Sequence, residues 1–354
     1  MSRFLSDRRK NLVPYTPGEQ PKDMKYIKLN TNESPFPPSK KALEFTECAV
    51  EKLNLYPDPE CKALTEKIAE MCGVNENEVL VTNGSDEILN FAFIAFCDEK
   101  TKAVFPDITY GFYPVFAEIN NVPYREIPLN NDFSINISDY CGINENIFIA
   151  NPNAPTGIAI SLNDIEKILR TNPDNVVVID EAYVDFGGKS AIPLIKKYDN
   201  LLVTQTFSKS RSMAGARLGF GVASSELIRD LNTVKYSTNP YNINSMTMAA
   251  GLGVLQDPDY TSNNCGEIIK NREFTINALE NLGFSYTNSF ANFVFVKHNR
   301  VSGKELYLRL KEKGVLIRHF DKKKISDYNR ITIGNRQQME ILIEKIKEVL
   351  EETK

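Results

Sequence analysis

Lys209 and Arg217 form the local pattern with the clearest chemical potential in this sequence. Lys209 follows Leu-Leu-Val-Thr-Gln-Thr-Phe-Ser at 201–208, which predicts a buried strand, and Arg217 comes eight residues later. An amine at the end of a buried strand is partly desolvated, which lowers its pKa and prepares it to form an imine with an aldehyde. A cofactor is the natural source of that aldehyde. The pair alone would also suit a solvated loop lysine and a surface arginine. The residues at the neighbouring strand ends therefore decide between a catalytic and a surface role.

Two upstream segments place further polar groups at strand ends. The β-branched run 176–179 ends in Asp180, and the turn-forming stretch 151–157 follows the apolar run 147–150. Such runs suit parallel strands buried on both faces, whose carboxyl ends are where α/β proteins bind ligands. Three strand ends thus carry an amide, a carboxylate and an amine in chain order.

These motifs together resemble a known family. They are N-P-N-A-P-T-G at 151–157, D-E-A-Y at 180–183, and S-K at 208–209 with arginine at 217. The set resembles the fold-type-I pyridoxal-phosphate aminotransferases and, within them, looks most like the histidinol-phosphate aminotransferase group. The resemblance covers nearly the whole chain, from L-V-P-Y-T-P-G at 12–18, through L-N-T-N-E-S-P-F at 29–36, to N-R-I-T-I-G at 329–334. It implies an α/β fold, with a large domain built on a mainly parallel seven-stranded sheet flanked by helices and a smaller α+β domain.

The resemblance implies pyridoxal 5'-phosphate as cofactor and catalytic roles for three residues. Lys209 would bind the cofactor covalently and later move a proton, which requires its neutral amine. Asp180 would keep the ring nitrogen protonated, so that the ring accepts electrons. Tyr183 and Asn153 would contact the phenolic oxygen. Many relatives carry asparagine directly before P-T-G, whereas this chain has Ala154 there and Asn153 one residue earlier.

The cofactor phosphate requires an anion site, which segment 81–87 can supply with a strand, a glycine turn and a helix start. The same turn also suits a helix that Ser85 or Asp86 merely caps. The resemblance implies that Tyr110 stacks on the ring and that Tyr56 reaches the phosphate of the neighbouring subunit, so the protein would be a homodimer. The cofactor-binding residues implied are Gly84, Ser85, Asp86, Tyr110, Asn153, Asp180, Tyr183, Thr206, Ser208, Lys209, Arg217 and Tyr56.

Three further residues match substrate-binding positions of the family: Tyr15, Arg318 and Arg330. Arginine pairs bidentately with carboxylates and phosphates, so the two arginines suit anionic substrates. Each residue would equally suit a surface position at a strand end. The implied substrates are histidinol phosphate and glutamate or 2-oxoglutarate, exchanged by a ping-pong route through the pyridoxamine form of the cofactor.

Charge and composition argue against several other classes of protein. The net charge is −4 and the basic runs are short, which argues against nucleic-acid binding. The longest apolar run, 91–96, is far below membrane-spanning length, so a cytosolic protein is expected. Two histidines exclude a metal site built on several of them, and six scattered cysteines without C-x-x-C spacing predict free thiols.

Alternation of apolar runs with helix-period segments predicts βαβ units through the middle of the chain. Segment 161–164 has the form of a capped helix start. Within 339–350, apolar residues recur at the spacing of one helix face, which predicts an amphipathic helix at the end of the sequence. At 354 residues the chain exceeds the usual single domain. The expected division is an N-terminal arm with part of the small domain at 1–45, a large domain at 46–264 and a small domain at 265–354.

Alternatives remain open at this point. The same motifs also resemble aromatic aminotransferases and threonine-phosphate decarboxylases. A nicotinamide-dependent oxidoreductase is suggested by the G-F-G at 219–221, but the third glycine of the dinucleotide fingerprint is missing. A regulator that has kept the fold without catalysis is a further class, against which the intact set of lysine, aspartate, tyrosine and arginine argues.

Overall fold

The computed structural model describes residues 2–10 and 12–353. Its strands are β1 (Ile27–Lys28), β2 (Val79–Thr82), β3 (Ala103–Pro106), β4 (Tyr124–Ile127), β5 (Asn146–Ala150), β6 (Val177–Asp180), β7 (Leu201–Thr206), β8 (Gly219–Ala223), β9 (Phe284–Tyr286), β10 (Phe293–His298), β11 (Val315–Leu316), β12 (Arg318–His319) and β13 (Asn329–Thr332). Its α-helices are α1 (Lys40–Val50), α2 (Lys62–Cys72), α3 (Ser85–Phe96), α4 (Phe112–Asn120), α5 (Leu162–Thr171), α6 (Ser225–Thr238), α7 (Ser245–Leu255), α8 (Pro258–Asn281), α9 (Gly303–Glu312) and α10 (Arg336–Glu352).

Seven strands form one sheet in the order β2-β8-β7-β6-β5-β3-β4. Pairs among β7, β6, β5, β3 and β4 are parallel, whereas β8 runs antiparallel to both of its neighbours. Every residue of β5, β6 and β7 is buried, because helices cover both faces of the sheet. The predicted seven-stranded, mainly parallel sheet is confirmed.

The two faces of this sheet pack into different cores, as the two-residue period of a strand requires. Val177 and Ile179 of β6 belong to a core that includes Ile165 and Ile168 of α5. Val178, between them, packs into the core that holds α3. Helix α5 begins after Ser161, which forms the predicted capping box with Asp164. A side chain buried in these cores stabilises the fold by roughly 1.5–3 kcal/mol.

The carboxyl ends of the parallel strands meet at one edge of the sheet. Ala150, the last residue of β5, pairs with Asp180, the last residue of β6, and Asp180 pairs with Thr204 of β7. Lys209 follows β7 in the connection to β8. The chain therefore brings its predicted carboxylate and amine to the same edge.

A second sheet is antiparallel, in the order β12-β13-β10-β9, and packs with α8, α9 and α10 in a separate core. The buried face of α10 consists of Met339, Leu342, Ile343, Ile346, Val349 and Leu350, as the apolar period predicts. Strand β1 pairs parallel with β11, so the N-terminal residues join this part of the molecule. Helix α8 runs without a break across the predicted boundary at 264/265, and the domain boundaries stay a prediction.

Within residues 2–10 and 12–353, the helices are all too short or too polar to traverse a lipid bilayer.

Candidate active site

A cavity of about 120 Å³ lies at the carboxyl edge of the large sheet. Nine of the residues predicted from the sequence line it, together with four small or cyclic apolar residues from the ends of β5 and β6. The thirteen are Ser85, Asp86, Tyr110, Ala150, Pro152, Ala154, Asp180, Ala182, Tyr183, Thr206, Ser208, Lys209 and Arg217. We call this space the inner cavity.

Lys209 presents its amine to the inner cavity from a largely buried position. Its Nζ donates to the carbonyl oxygen of Thr31 at 3.3 Å and lies 5.9 Å from the ring centroid of Tyr183. Burial, and after it the positive charge of Arg330, lower the pKa of Lys209 to about 8. Far more of this amine is therefore neutral, and nucleophilic, near physiological pH than in a solvated lysine.

Asp180 supplies the carboxylate of the inner cavity. Its oxygens accept hydrogen bonds from the Tyr113 hydroxyl at 3.1 Å and the Thr204 hydroxyl at 3.3 Å. Burial raises the pKa of Asp180 to about 6, against the lowering effect of the Tyr113 hydrogen bond. A cation placed opposite this carboxylate would favour its ionised form.

The adjacent carboxylate, Glu181, belongs to a different environment. It accepts hydrogen bonds from the Ser190 hydroxyl and the Ala191 amide, each at 2.6 Å, and from the Gln205 amide at 2.9 Å. Burial raises its pKa to about 7. Glu181 does not line the inner cavity, because consecutive side chains of an extended segment point in opposite directions.

Tyr183 offers a buried hydroxyl to the inner cavity. Its oxygen accepts a hydrogen bond from the side-chain amide of Asn32 at 2.9 Å. Burial raises the pKa of Tyr183, while the charge of Arg330 and the hydrogen bond from Asn32 act in the opposite direction. The hydroxyl therefore keeps its proton at neutral pH.

Asn153 is not brought to the inner cavity. Its carbonyl oxygen accepts from the Thr109 hydroxyl at 2.8 Å, and its amide nitrogen donates to the Ile108 carbonyl at 2.9 Å and the Thr156 hydroxyl at 3.1 Å. Ala154, the next residue, lines the cavity in its place. The structure thus directs the side-chain amide of Asn153 toward the segment after β3 and toward Thr156 of its own turn.

One end of the inner cavity has the features of an anion site. Helix α3 starts at Ser85 with no side chain capping its first turn. Arg217 lies against this turn: a Cβ atom on Gly84 would come within 2.7 Å of Nη2 of Arg217. A Cβ on Gly219 would lie 2.5 Å from the backbone nitrogen of Ser85, so only glycine permits this approach. The free first-turn amides and the guanidinium together suit a phosphate.

Asp86 and Tyr110 complete that end. The carboxylate of Asp86 accepts from Arg217 Nη2 at 2.8 Å and from the Tyr110 hydroxyl at 2.6 Å. Burial and the neighbouring carboxylate of Asp86 raise the pKa of Tyr110 well above its usual value. Asp86 therefore orients both side chains at the rim of the cavity.

An outer cavity of about 480 Å³ adjoins the inner one and shares Lys209 and Tyr183 with it. The three predicted substrate-binding residues, Tyr15, Arg318 and Arg330, line it. Arg330 donates to the Asn30 carbonyl at 2.9 Å, but its buried Nε has no partner among the described residues. An unpaired buried guanidinium nitrogen is suited to an anionic ligand.

Arg318 and Tyr15 tie the N-terminal residues to the outer cavity. Arg318 donates to the carbonyls of Thr16 at 3.0 Å and Pro17 at 3.1 Å. The Tyr15 ring stacks on that of Phe112, with centroids 4.3 Å apart. Residues 13–16 thereby form one wall of the outer cavity.

Tyr56 lies apart from both cavities. Its side chain is 82% exposed and stacks on Tyr241, with ring centroids 4.6 Å apart. Within one subunit it lines neither the inner nor the outer cavity.

Several residues that hold the site in place have no role predicted from the sequence. Tyr113 and Thr204 bind Asp180, while Asn32 binds Tyr183 and Thr31 binds Lys209. Thr204 carries a usable signal, since it is the first polar residue after the apolar run 201–203 and lies two positions before Thr206, on the same side of the strand. The other three contacts join distant segments and leave no local pattern.

Comparison with known proteins defines the class. Residues 24–346 match the family described as Aminotransferase class I and II. The chain therefore belongs to that family of transaminases.

Particular relatives are also similar over their full length. Histidinol-phosphate aminotransferase of Brachyspira hyodysenteriae (strain ATCC 49526 / WA1) is 49% identical and covers 99% of both chains. That of Clostridium beijerinckii (strain ATCC 51743 / NCIMB 8052) is 47% identical, covering 99% of this chain and 98% of its own. The crystal structure of histidinol-phosphate aminotransferase from Sinorhizobium meliloti in complex with pyridoxal-5'-phosphate has a TM-score of 0.86. It is 21% identical and covers 93% of this chain and 92% of its own, which shows a common fold. The family and fold predicted from the sequence are confirmed.

Proposed function

We propose that this chain transfers an amino group between histidinol phosphate and 2-oxoglutarate, with pyridoxal phosphate as cofactor, in histidine biosynthesis. The observation that carries the proposal is the buried amine of Lys209, which shares one cavity with Asp180 and Tyr183 and a second with Arg330. The full-length relatives described as histidinol-phosphate aminotransferases support the substrate. A cytosolic location belongs to the same proposal.

The residues of the inner cavity fit the proposed cofactor. When bound, pyridoxal phosphate supplies an aldehyde carbon that captures an amine and a ring that accepts the electron pair left when the substrate Cα–H bond breaks. The uncapped first turn of α3, with Ser208 and Arg217, would hold its phosphate, and Asp180 would hold the proton on its ring nitrogen. Tyr110 would cover the ring face. Arg217 thus supplies positive charge for the phosphate and Asp180 supplies negative charge for the ring nitrogen, as a phosphorylated pyridinium requires.

The chain's own residues can perform the transfer. In its neutral form, Lys209 would accept the proton from the substrate Cα and deliver it to the carbon that the cofactor's aldehyde supplies. Tyr183 would donate to the phenolic oxygen. Arg330, whose Nε is free among the described residues, would bind the phosphate of one substrate and the carboxylate of the other in the two halves of a ping-pong cycle. Arg318 would add a second positive charge once it releases the Thr16 and Pro17 carbonyls.

The lowered pKa of Lys209 predicts how cofactor capture depends on pH. The rate at which cofactor-free enzyme incorporates pyridoxal phosphate should rise about tenfold per pH unit below pH 8 and level off above it, because only the neutral amine reacts. Stopped-flow absorbance measures this rate. A solvated lysine would show a rise that continues toward about pH 10.4, and that outcome would contradict a desolvated Lys209.

Substrate comparison tests the function directly. Steady-state kcat/KM should be highest for histidinol phosphate when it is compared with phenylalanine, tyrosine and threonine phosphate, with 2-oxoglutarate as acceptor. An aromatic aminotransferase would prefer phenylalanine or tyrosine, and a threonine-phosphate decarboxylase would release carbon dioxide from threonine phosphate. Either result would replace the proposed substrate while leaving the cofactor assignment intact.

We further propose that two copies of the chain form a dimer in which Tyr56 reaches the phosphate of the neighbouring site. Support comes from exposure: Tyr56 is 82% exposed, and Leu53 and Leu55 of the same segment are 53% and 63% exposed. A concentration of large apolar side chains at the surface is typical of a protein interface.

Complementation between subunits tests this dimer. The Tyr56→Ala variant should bind pyridoxal phosphate about tenfold more weakly, since one hydrogen bond to a charged group is lost. Mixed with Lys209→Ala subunits, it should regain full-affinity sites, up to about a quarter of the total, because a hybrid dimer contains one complete site. A monomer in sedimentation, or a mixture without recovery, would argue against the shared site.

A further inference from the structure

Asn32, Thr332 and Tyr183 form a continuous hydrogen-bonded chain behind the inner cavity. The backbone amide of Asn32 donates to the Thr332 hydroxyl at 3.0 Å, and that hydroxyl donates to the side-chain oxygen of Asn32, also at 3.0 Å. The side-chain nitrogen of Asn32 then donates to the Tyr183 hydroxyl at 2.9 Å. All three residues are buried. None of these bonds involves the solvent.

The order of donors and acceptors along these hydrogen bonds determines where the Tyr183 hydroxyl points its proton. The Thr332 oxygen already accepts from a backbone N–H, so its own proton goes to the Asn32 carbonyl oxygen. The amide nitrogen of Asn32, which can only donate, is left facing Tyr183. Tyr183 accepts there, and its single proton points elsewhere. Because Tyr183 lines the inner cavity, that cavity is where its proton is available.

Asn32 holds a backbone conformation that suits this task. Its φ is +55°, in the left-handed region where asparagine is tolerated better than most residues. Its backbone carbonyl accepts from the side chain of Asn292 at 3.0 Å, so the backbone is fixed on both sides. The neighbouring Thr31 carbonyl accepts from Lys209. One short segment thus contacts both Tyr183 and Lys209.

The direction of the Tyr183 proton matters because of the other residues that line the cavity. Among the described residues of the loop after β5, those that line the inner cavity are Pro152 and Ala154, which carry no side-chain donor. The side chain of Asn153 forms its hydrogen bonds with Ile108, Thr109 and Thr156, which do not line the inner cavity. Tyr110, the other tyrosine of the cavity, donates to Asp86. Tyr183 is therefore the tyrosine of the cavity with a proton to give.

We propose that Asn32, held by Thr332, is a positioning residue that aims the Tyr183 proton at the phenolic oxygen of the bound cofactor. This rests on the cofactor site of the proposed function. In this protein the Tyr183 hydroxyl would supply the hydrogen-bond donor to the phenolic oxygen, because the residues of the 151–157 loop that line the cavity have no side-chain donor. The amide of Asn32 strengthens that donor, because a hydroxyl that accepts a hydrogen bond is a better donor itself.

A pH titration of the visible absorbance of the cofactor-loaded enzyme tests the proposal. A donor to the phenolic oxygen stabilises the less protonated form of the bound chromophore, so weakening the donor raises the titration midpoint. Asn32→Gly tolerates the positive φ, removes the amide and adds no charge. We expect its midpoint to rise by about one pH unit, which corresponds to a tenfold change in the protonation equilibrium. An unchanged midpoint would overturn the proposal.

Three further variants separate positioning from a structural role. In the Tyr183→Phe background, Asn32→Gly should produce no additional shift, since the hydroxyl that it aims is absent. Thr332→Val should raise the midpoint, whereas Thr332→Ser, which keeps the hydroxyl, should restore it. An equal shift with and without the Tyr183 hydroxyl would assign Asn32 a general electrostatic or packing effect and refute the proposal.

The two levels of failure are distinguishable. If the unaltered protein acquires no visible absorbance with pyridoxal phosphate, the proposed function itself fails. If it does, and Asn32→Gly does not fold, the Thr332→Val and Thr332→Ser pair decides the matter, because both variants keep the Asn32 backbone. Identical midpoints for that pair would then overturn the inference.

Discussion

Replacement of Lys209 by alanine should reduce turnover by at least about 10⁴-fold, because one amine performs both the covalent capture and the proton transfer. Its Nζ lies in the inner cavity with the pKa lowered to about 8. Among the described residues, no other lysine lines this cavity. The Nζ of Lys209 lies 5.9 Å from the ring centroid of Tyr183. Steady-state assays with histidinol phosphate measure the loss.

The covalent bond can be examined separately from turnover. Borohydride reduction of the loaded enzyme, followed by peptide mapping, should label Lys209 and nothing else. Lys197→Ala is the matched control, because the side chain of this lysine is 65% exposed and forms a surface ion pair with Glu166, an interaction that contributes about 0–1 kcal/mol. The control should retain activity and label. A label on another lysine, or full activity in Lys209→Ala, would refute the proposed function.

The sequence predicts the positions of Lys209 and Asp180 well because both follow from local features. Continuous apolar runs identify β6 and β7, and parallel pairing then brings their carboxyl ends to one edge. Strand β4 shows the limit of this reasoning. Three of its four residues are exposed, since it lies at the edge of the sheet, and it therefore has no apolar run to reveal it.

The hydrogen bonds that orient the site are beyond local prediction. Asn32 and Tyr183 are 151 residues apart, and Tyr113 and Asp180 are 67 apart. Such pairs depend on how helices and loops pack onto the sheet edge. Asn153 illustrates the sensitivity: a shift of one position along an extended loop turns a side chain to the opposite side. The sequence places an amide near the site, but the packing decides that Ala154 faces the cavity.

Asp180→Asn should lower kcat by about 10²- to 10³-fold, a typical loss when one preorganised electrostatic group is removed from a catalytic site. The substitution preserves the shape of the side chain but removes the charge that would hold a proton on the ring nitrogen. It also leaves a single acceptor oxygen, so only one of the hydrogen bonds from Tyr113 and Thr204 can keep its present direction. Substrate KM should change little, because Asp180 lines the inner cavity and not the outer one. Presteady-state measurement of each half-reaction would show the loss in both, since each requires the protonated ring.

Glu181→Gln is the matched control for Asp180→Asn. It removes a buried carboxylate one residue away, whose partners are Ser190, Ala191 and Gln205 and which does not line the inner cavity. Burial raises the pKa of both carboxylates, to about 6 for Asp180 and about 7 for Glu181, so the two substitutions disturb groups with similar desolvation. The control should lose stability in a thermal melt while kcat stays within a few-fold of the unaltered enzyme. Equal losses of kcat in the two variants would mean that a buried negative charge in this region supports the fold, and that Asp180 has no special task at the ring nitrogen.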